Sequence, residues 1–156
     1  LADLFRAALR DPGELVSLGA EIELGRQYLE LEKLRLGERL TVDWQIAAIS
    51  PATPIPPLIL QPLLENAVYH GIEPAPAGGC IRIAIACSGR ELQLAISNPQ
   101  SAAPAAGRRQ AAGHRIALDN IRERLMLFFD LEASLDTWQD AGVYHVRIRL
   151  PFRSRP

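Results

Sequence analysis

The chain has only two cysteines in 156 residues, Cys80 and Cys87, with no other soft ligand nearby. That excludes a disulfide framework and a cysteine-ligated zinc site, and both are expected to be buried, small apolar residues in a reducing compartment. No stretch approaches the roughly 18 uninterrupted apolar residues of a membrane-spanning helix, and no signal peptide is visible, so the chain is expected to be soluble and to make no direct membrane contact. Charge of one sign is also lacking. A formal net charge of −1 gives no electrostatic footprint for nucleic acid or for an acidic membrane surface. The sequence does not begin with Met and opens inside what reads as a helix, as expected of a piece of a longer protein.

What is present is a 48% hydrophobic chain, enough for one globular core with or without a helical arm. Its most informative stretch runs from Leu58 to Gly71, Leu-Ile-Leu-Gln-Pro-Leu-Leu-Glu-Asn-Ala-Val-Tyr-His-Gly. At about 100° per residue, Leu60, Leu63, Leu64, Ala67 and Val68 share one arc of a helix, and Glu65, Asn66 and Tyr69 lie opposite. Pro62 has no N–H, which places it in the first turn of a helix starting near Ile59, and Gly71 fits just past the end. A carboxylate beside a side-chain amide can hold a hydrated Mg²⁺, an ion that takes oxygen ligands. The same pair can equally be a solvated face of an amphipathic helix.

The remaining elements follow from periodicity. Leu1 to Arg10 has helical spacing and is broken at Asp11-Pro12-Gly13. Ser17 can cap a second helix that reaches Leu36 and closes at Gly37. Leu40 to Ile46 alternates as a half-buried strand, and a stiff, extended Pro51 to Pro57 connector leads to the central helix. Alternation of Ile81, Ile83 and Ile85, then of Leu92, Leu94 and Ile96, around Ser88-Gly89-Arg90 reads as a hairpin. Asn98 to Ala112 reads as a long loop without periodicity, of the kind used as a lid or binding segment. A helix follows, with Leu118, Ile121, Leu125 and Phe128 inward and Arg122 and Arg124 towards solvent. A strand around Ala133 to Trp138, a turn at Asp140-Ala141-Gly142 and a strand from Val143 to Leu150 complete the chain. On that last strand, Tyr144, Val146, Ile148 and Leu150 share one face and His145, Arg147 and Arg149 the other. This order predicts an α+β fold: a two-layer sandwich with a mixed, mostly antiparallel sheet and helices on one face.

Gln61-Pro62-Leu63-Leu64-Glu65-Asn66-Ala67, followed by His70-Gly71, resembles the N box of the LytS/AlgZ-type sensor histidine kinases, whose kinase core belongs to the gyrase, Hsp90, histidine kinase and MutL ATPase group. Tyr28 to Arg35 resembles the family's segment joining the phosphoacceptor helices to the ATPase domain, and Asn120-Ile121-Arg122-Glu123-Arg124-Leu125 resembles the end of its glycine-rich motif. The resemblance covers nearly the whole chain. It implies a Bergerat-type ATPase fold divided into residues 1–37, a helical linker, and residues 38–156, the ATP-binding domain. It makes Asn66 a Mg²⁺ ligand for ATP and Glu65 a candidate for orienting or polarising the reacting phosphate. His70, Asn98, Gly113, His114, Arg115 and Leu118 fall at nucleotide-binding positions.

The same resemblance implies transfer of the ATP γ-phosphoryl group to a His upstream of this chain and on to a response regulator. It also implies a dimer formed through that upstream region, and a cytoplasmic location in a parent protein of the bacterial inner membrane. Three positions depart from the family pattern. Tyr69 replaces a basic residue. Ser97-Asn98-Pro99-Gln100 replaces the segment whose Asp and Gly read adenine, and a neutral amide accepts roughly half as strong a bond as a carboxylate. Arg115 and Ala117 stand where relatives carry the glycines that let backbone approach phosphate. The departures leave open a kinase-like module that binds partners without productive ATP turnover. A gyrase- or Hsp90-like ATPase fits poorly, because Pro62 stands where an acidic residue is expected.

Overall fold

The computed structural model describes residues 14–100 and 107–151, with the backbone alone for 107–112. The expected Leu1 to Arg10 helix and its break lie outside the described residues, as do residues 101–106. Helix α1 spans Leu18–Leu36. As the sequence predicts, Ser17 caps it, its Oγ accepting from the Ala20 N–H at 3.2 Å, and Gly37 ends it with φ 60°. Strand β1 is Leu40–Ile46, helix α2 is Leu60–Asn66, and α2 runs on without a break into a wider π-helical turn over Ala67–Ile72. Strands β2 (Gly79–Ser88) and β3 (Glu91–Pro99) form the hairpin, helix α3 covers Gly107–Phe129, and β4 (Ser134–Asp140) and β5 (Val143–Pro151) close the chain.

The five strands form one sheet in the order β1-β2-β3-β5-β4. Only β1 and β2 run parallel; the other neighbours are antiparallel. Register sets the core. Ile83 pairs with Ile96 and Ile85 with Leu94, and these pair in turn with Val146 and Ile148, so one face is a continuous apolar surface. The helices cover that face, Leu29, Leu60, Leu64, Ile121 and Leu125 joining the same buried cluster. Polar residues occupy the opposite face. There Arg82 lies 3.9 Å from Asp43, Arg149 lies 3.7 Å from Asp136, and Trp138 stacks on His145. This is the two-layer α+β sandwich expected from the element order.

Four local expectations are corrected. The long loop is shorter than its composition suggests, because β3 continues to Pro99 and α3 already begins at Gly107. Alanine and arginine in residues 107–112 favour helix, and that propensity prevails where no apolar period announces it. Gly71 is not a terminator. It lies inside the π-helical turn, where a Cβ would come within 2.4 Å of Asn98 Nδ2, so the residue is needed for close approach. Cys80 and Cys87 are free and half-buried rather than buried, since they sit near the two ends of β2. Arg124 does not point to solvent. It turns inward and donates to the Pro57 and Leu58 carbonyls at 2.8 and 2.9 Å.

The Pro-rich connector is more than a spacer. Pro54–Ile55 pairs with Val16–Ser17, and the carbonyls of Thr53 and Pro51 each accept at 2.8 Å from the Leu18 and Gly19 N–H groups. Those are donors that a helix N-terminus cannot satisfy internally.

Candidate functional site

Helix α2 forms where it does because its apolar arc fits the sheet: Leu60, Leu63, Leu64, Ala67 and Val68 are all buried, while Glu65 and Tyr69 face outward. Its ends are held from outside. At the start, Glu21 of α1 is buried, and its carboxylate accepts from the Leu58 N–H at 3.1 Å and the Leu60 N–H at 3.4 Å. Burial pushes the Glu21 carboxyl above the usual carboxylate range, against the opposing effect of these backbone bonds and of the Arg124 charge. At the far end, one Arg39 nitrogen donates to the Ile72, Glu73 and Ala75 carbonyls at 3.0 to 3.1 Å, and Arg35 pairs with Glu73. The turn before α2 is strained, with Leu58 at φ 54°, a conformation that L-residues rarely adopt.

Asn66 is the last α-helical residue before the π-helical turn. It is half-buried, and its Nδ2 is buried without a hydrogen-bond partner. Orphaned buried polar atoms are uncommon in native structures, and π-turns cluster at functional sites. An amide can be turned to present either nitrogen or oxygen, so this position suits an oxygen-seeking ligand. Glu65 is exposed and accepts from Gln61 Nε2 at 3.3 Å; Gln61 Oε1 is likewise buried without a partner.

The π-helical turn carries His70 towards α3. The His70 and His114 rings meet edge-on with centroids 5.0 Å apart, and His114 Nε2 lies 2.8 Å from the Tyr144 hydroxyl of β5. Burial lowers both histidines below their ordinary range, and the charge of His70 lowers His114 further. Asn98 pairs with Tyr144 across the β3–β5 ladder and packs on Gly71; its Nδ2 donates to the Pro99 carbonyl at 2.9 Å. The structure therefore gathers His70, Asn98 and His114 at one junction of α2, β3, β5 and α3.

It does not gather the others. Gly113 lies within α3 with open space around it, Arg115 is exposed, and Leu118 is buried in the apolar core. Because Gly113 to Leu118 are inside a continuous helix, their N–H groups are not turned out as a phosphate cradle in this structure. Sequence reasoning missed Glu21, Arg39, Arg124 and Tyr144. The first three act on backbone atoms distant in sequence, which leaves no local signature. Among the described residues, no group of three or more His, Cys, Asp or Glu is placed to hold a metal ion, and no helix is long and apolar enough to cross a membrane.

A helix-covered mixed sheet of this kind has known counterparts. The family model described as "Histidine kinase" matches residues 1–40. The sensor histidine kinase BtsS of Escherichia coli K12 is 28% identical over 153 residues, covering 98% of this chain and 27% of BtsS. The sensor protein LytS of Oceanobacillus iheyensis is 26% identical over 165 residues, covering 99% of this chain and 28% of LytS. The chain is a relative of the LytS-type sensor histidine kinases. It spans about a quarter of the length of these relatives.

Solved structures agree on the fold. The catalytic domain of the histidine kinase ThkA superposes with a TM-score of 0.61 at 12% identity, covering 88% of this chain and 93% of that domain. Full-length ShkA in complex with AMPPNP gives 0.62 at 20% identity, covering 98% of this chain and 35% of ShkA. ThkA has also been solved in complex with the response regulator protein TrrA. The fold is thus that of histidine kinase catalytic domains.

Proposed function

We propose that this chain is the ATP-binding catalytic region of a two-component sensor histidine kinase. In this reading residues 1–37 are the helical linker from a dimerisation and phosphoacceptor segment, and residues 38–156 are the ATP-binding domain. The observation that carries the proposal is the orphaned amide of Asn66 at the end of the site helix. Turned to present its oxygen, it would serve as a Mg²⁺ ligand, and the ion would supply charge neutralisation at the phosphates of ATP. Glu65, one residue earlier and exposed, is available to orient the reacting phosphate. His70, His114 and Asn98 would line the nucleotide side of the same junction, with Arg115 free to swing a charge towards phosphate. For phosphoryl transfer such residues mainly position groups and balance charge.

The γ-phosphoryl group would pass to a His on the dimerisation helix, outside this chain, and then to an Asp of a response regulator. The parent protein is proposed to sit in the bacterial inner membrane with this region in the cytoplasm. Support comes from the kind of relatives found, from the AMPPNP complex of ShkA and from the regulator complex of ThkA. Titration calorimetry with Mg-ADP tests the site. The expected result is a saturable heat that Asn66→Ala abolishes while the far-ultraviolet circular dichroism stays unchanged. No heat at millimolar nucleotide would refute the proposal.

A second reading is favoured by one specific arrangement. Asn98 is buried and its amide nitrogen is engaged by its own chain, and α3 runs unbroken through Gly113. Both features suit a kinase-like module that docks to a partner kinase or regulator without turning over ATP. Full-length protein incubated with radiolabelled ATP separates the two: label on an upstream His eliminates the docking-only reading.

A further inference from the structure

The entry to the site helix is held by two buried or half-buried charged side chains that reach it from opposite elements, and neither is part of the nucleotide site described above. From α1, the Glu21 carboxylate takes the N–H groups of Leu58 and Leu60. From α3, the Arg124 guanidinium takes the carbonyls of Pro57 and Leu58. Between them Leu58 is held at φ 54°, a backbone state that survives only where the surroundings over-determine it. The contact runs both ways, because the first turn of α1 donates to Pro51 and Thr53 of the same connector. Helix α1 therefore grips the connector just before α2 through its own backbone, and grips α2 itself through Glu21. Packing adds a third hold: a Cβ at Gly25 would lie 2.8 Å from Leu64 Cδ1 of α2, so the Leu64 side chain packs directly on the α1 backbone.

We infer that Glu21 and Arg124 are positioning residues for the nucleotide site, fixing the start of the helix that presents Asn66, so that the connecting helix α1 sets nucleotide affinity. The inference rests on the ATP-binding reading above. Neither side chain touches the proposed ligand. Their action is geometric: Leu58 and Ile59 lead directly into the helix that begins at Leu60 and presents Asn66, and a change in entry angle is carried along it. Loss of the Glu21 carboxylate leaves the Leu58 and Leu60 donors without their partner in a buried place, and the strained Leu58 turn is free to relax. A ligand held by a supporting shell is sensitive to such relaxation, and removal of an outer-shell partner typically costs roughly tenfold or more in affinity.

The test compares Mg-ADP affinity of the unaltered chain, Glu21→Gln and Arg124→Lys by calorimetry, at a temperature where thermal melts show each to be fully folded. Glu21→Gln keeps the size of the side chain but offers a single acceptor oxygen, and Arg124→Lys keeps the charge but loses the fork that spans two carbonyls. The expected result is about a tenfold weakening in each variant, with amide exchange at Leu58 and Leu60 accelerated. Lowered melting temperatures with undiminished affinity of the folded protein would overturn the inference, because a purely structural role predicts that pattern. Should Glu21→Gln fail to fold, Glu21→Asp takes its place, since it keeps the charge on α1 but shortens its reach to the Leu58 and Leu60 donors. Absence of binding by the unaltered chain refutes the ATP-binding reading itself and the inference with it, an outcome distinct from equal affinity in all three proteins.

Discussion

Replacing Gly71 by Ala is expected to destabilise the protein, and the geometry fixes the sign. In a helical turn Ala outdoes Gly by at most about 1 kcal/mol. Here the new methyl would lie 2.4 Å from Asn98 Nδ2, 2.8 Å from its Cγ and 2.9 Å from its Cβ. Asn98 cannot swing away cheaply, since it is buried at the end of β3 and its amide is tied to the Pro99 carbonyl. Forcing a methyl into a packed interior costs about 1–3 kcal/mol. Three contacts under 3.0 Å place the cost in the upper part of that range, about 2–3 kcal/mol, so the propensity gain leaves a net loss of about 1–2 kcal/mol. At roughly 1–3 kcal/mol per molar of urea, the denaturation midpoint should fall by about 0.3–2 M with an unchanged slope.

The partner of the clash can be tested as well. Asn98→Ala removes two of the three offending atoms, so the double variant should lose less than the sum of the two single losses, a coupling of about 0.5 kcal/mol or more. A Gly71→Ala midpoint equal to or above the unaltered protein, or strict additivity in the double variant, would refute the argument that Gly71 exists to admit Asn98.

Two further outcomes follow from the same geometry. The β4–β5 hairpin turns through Ala141 at φ 49° and Gly142 at φ 75°, two positive values as a type I′ turn requires, and Ala141 is exposed, so Ala141→Gly should raise stability by up to about 1 kcal/mol in urea melts. His70 and His114 are held below their ordinary value of 6.5, so folding favours their neutral forms. Their contribution is complete above that pH and is lost as pH falls through the lowered folded-state values. Glu21, raised above its ordinary range, acts in the opposite sense, so the histidine part is read as a difference: a His70→Gln/His114→Gln protein should lose less stability between pH 7.5 and pH 5.5 than the unaltered one, and equal losses would exclude this origin.

Much of the architecture was legible from periodicity because burial here follows simple faces. The alternation in β2, β3 and β5 and the apolar arc of α2 each correspond to one surface turned towards the same core. Ser17 and Gly37 marked the ends of α1 because helix termini are satisfied by side chains and backbone immediately beside them. The start of α3 was missed since residues 107–112 show helix propensity without amphipathic spacing. The sequence also drew attention to Asn66, through the run of residues around it. It could not show that the amide nitrogen lies buried without a partner, for that depends on what the rest of the fold withholds from it.

By itself, then, the sequence determined the main helices and strands outside residues 107–112, which face of each is apolar, and that Glu65 and Tyr69 stand on the outer side of the central helix. Only the tertiary structure decided that Arg124 turns inward, that Glu21 satisfies the entry of a helix nearly forty residues away, that Gly71 makes room for Asn98, and that His114 meets both His70 and Tyr144. The reason is physical. Periodicity is a property of neighbours along the chain, whereas an orphaned backbone donor or acceptor is satisfied by whichever side chain packing brings within reach.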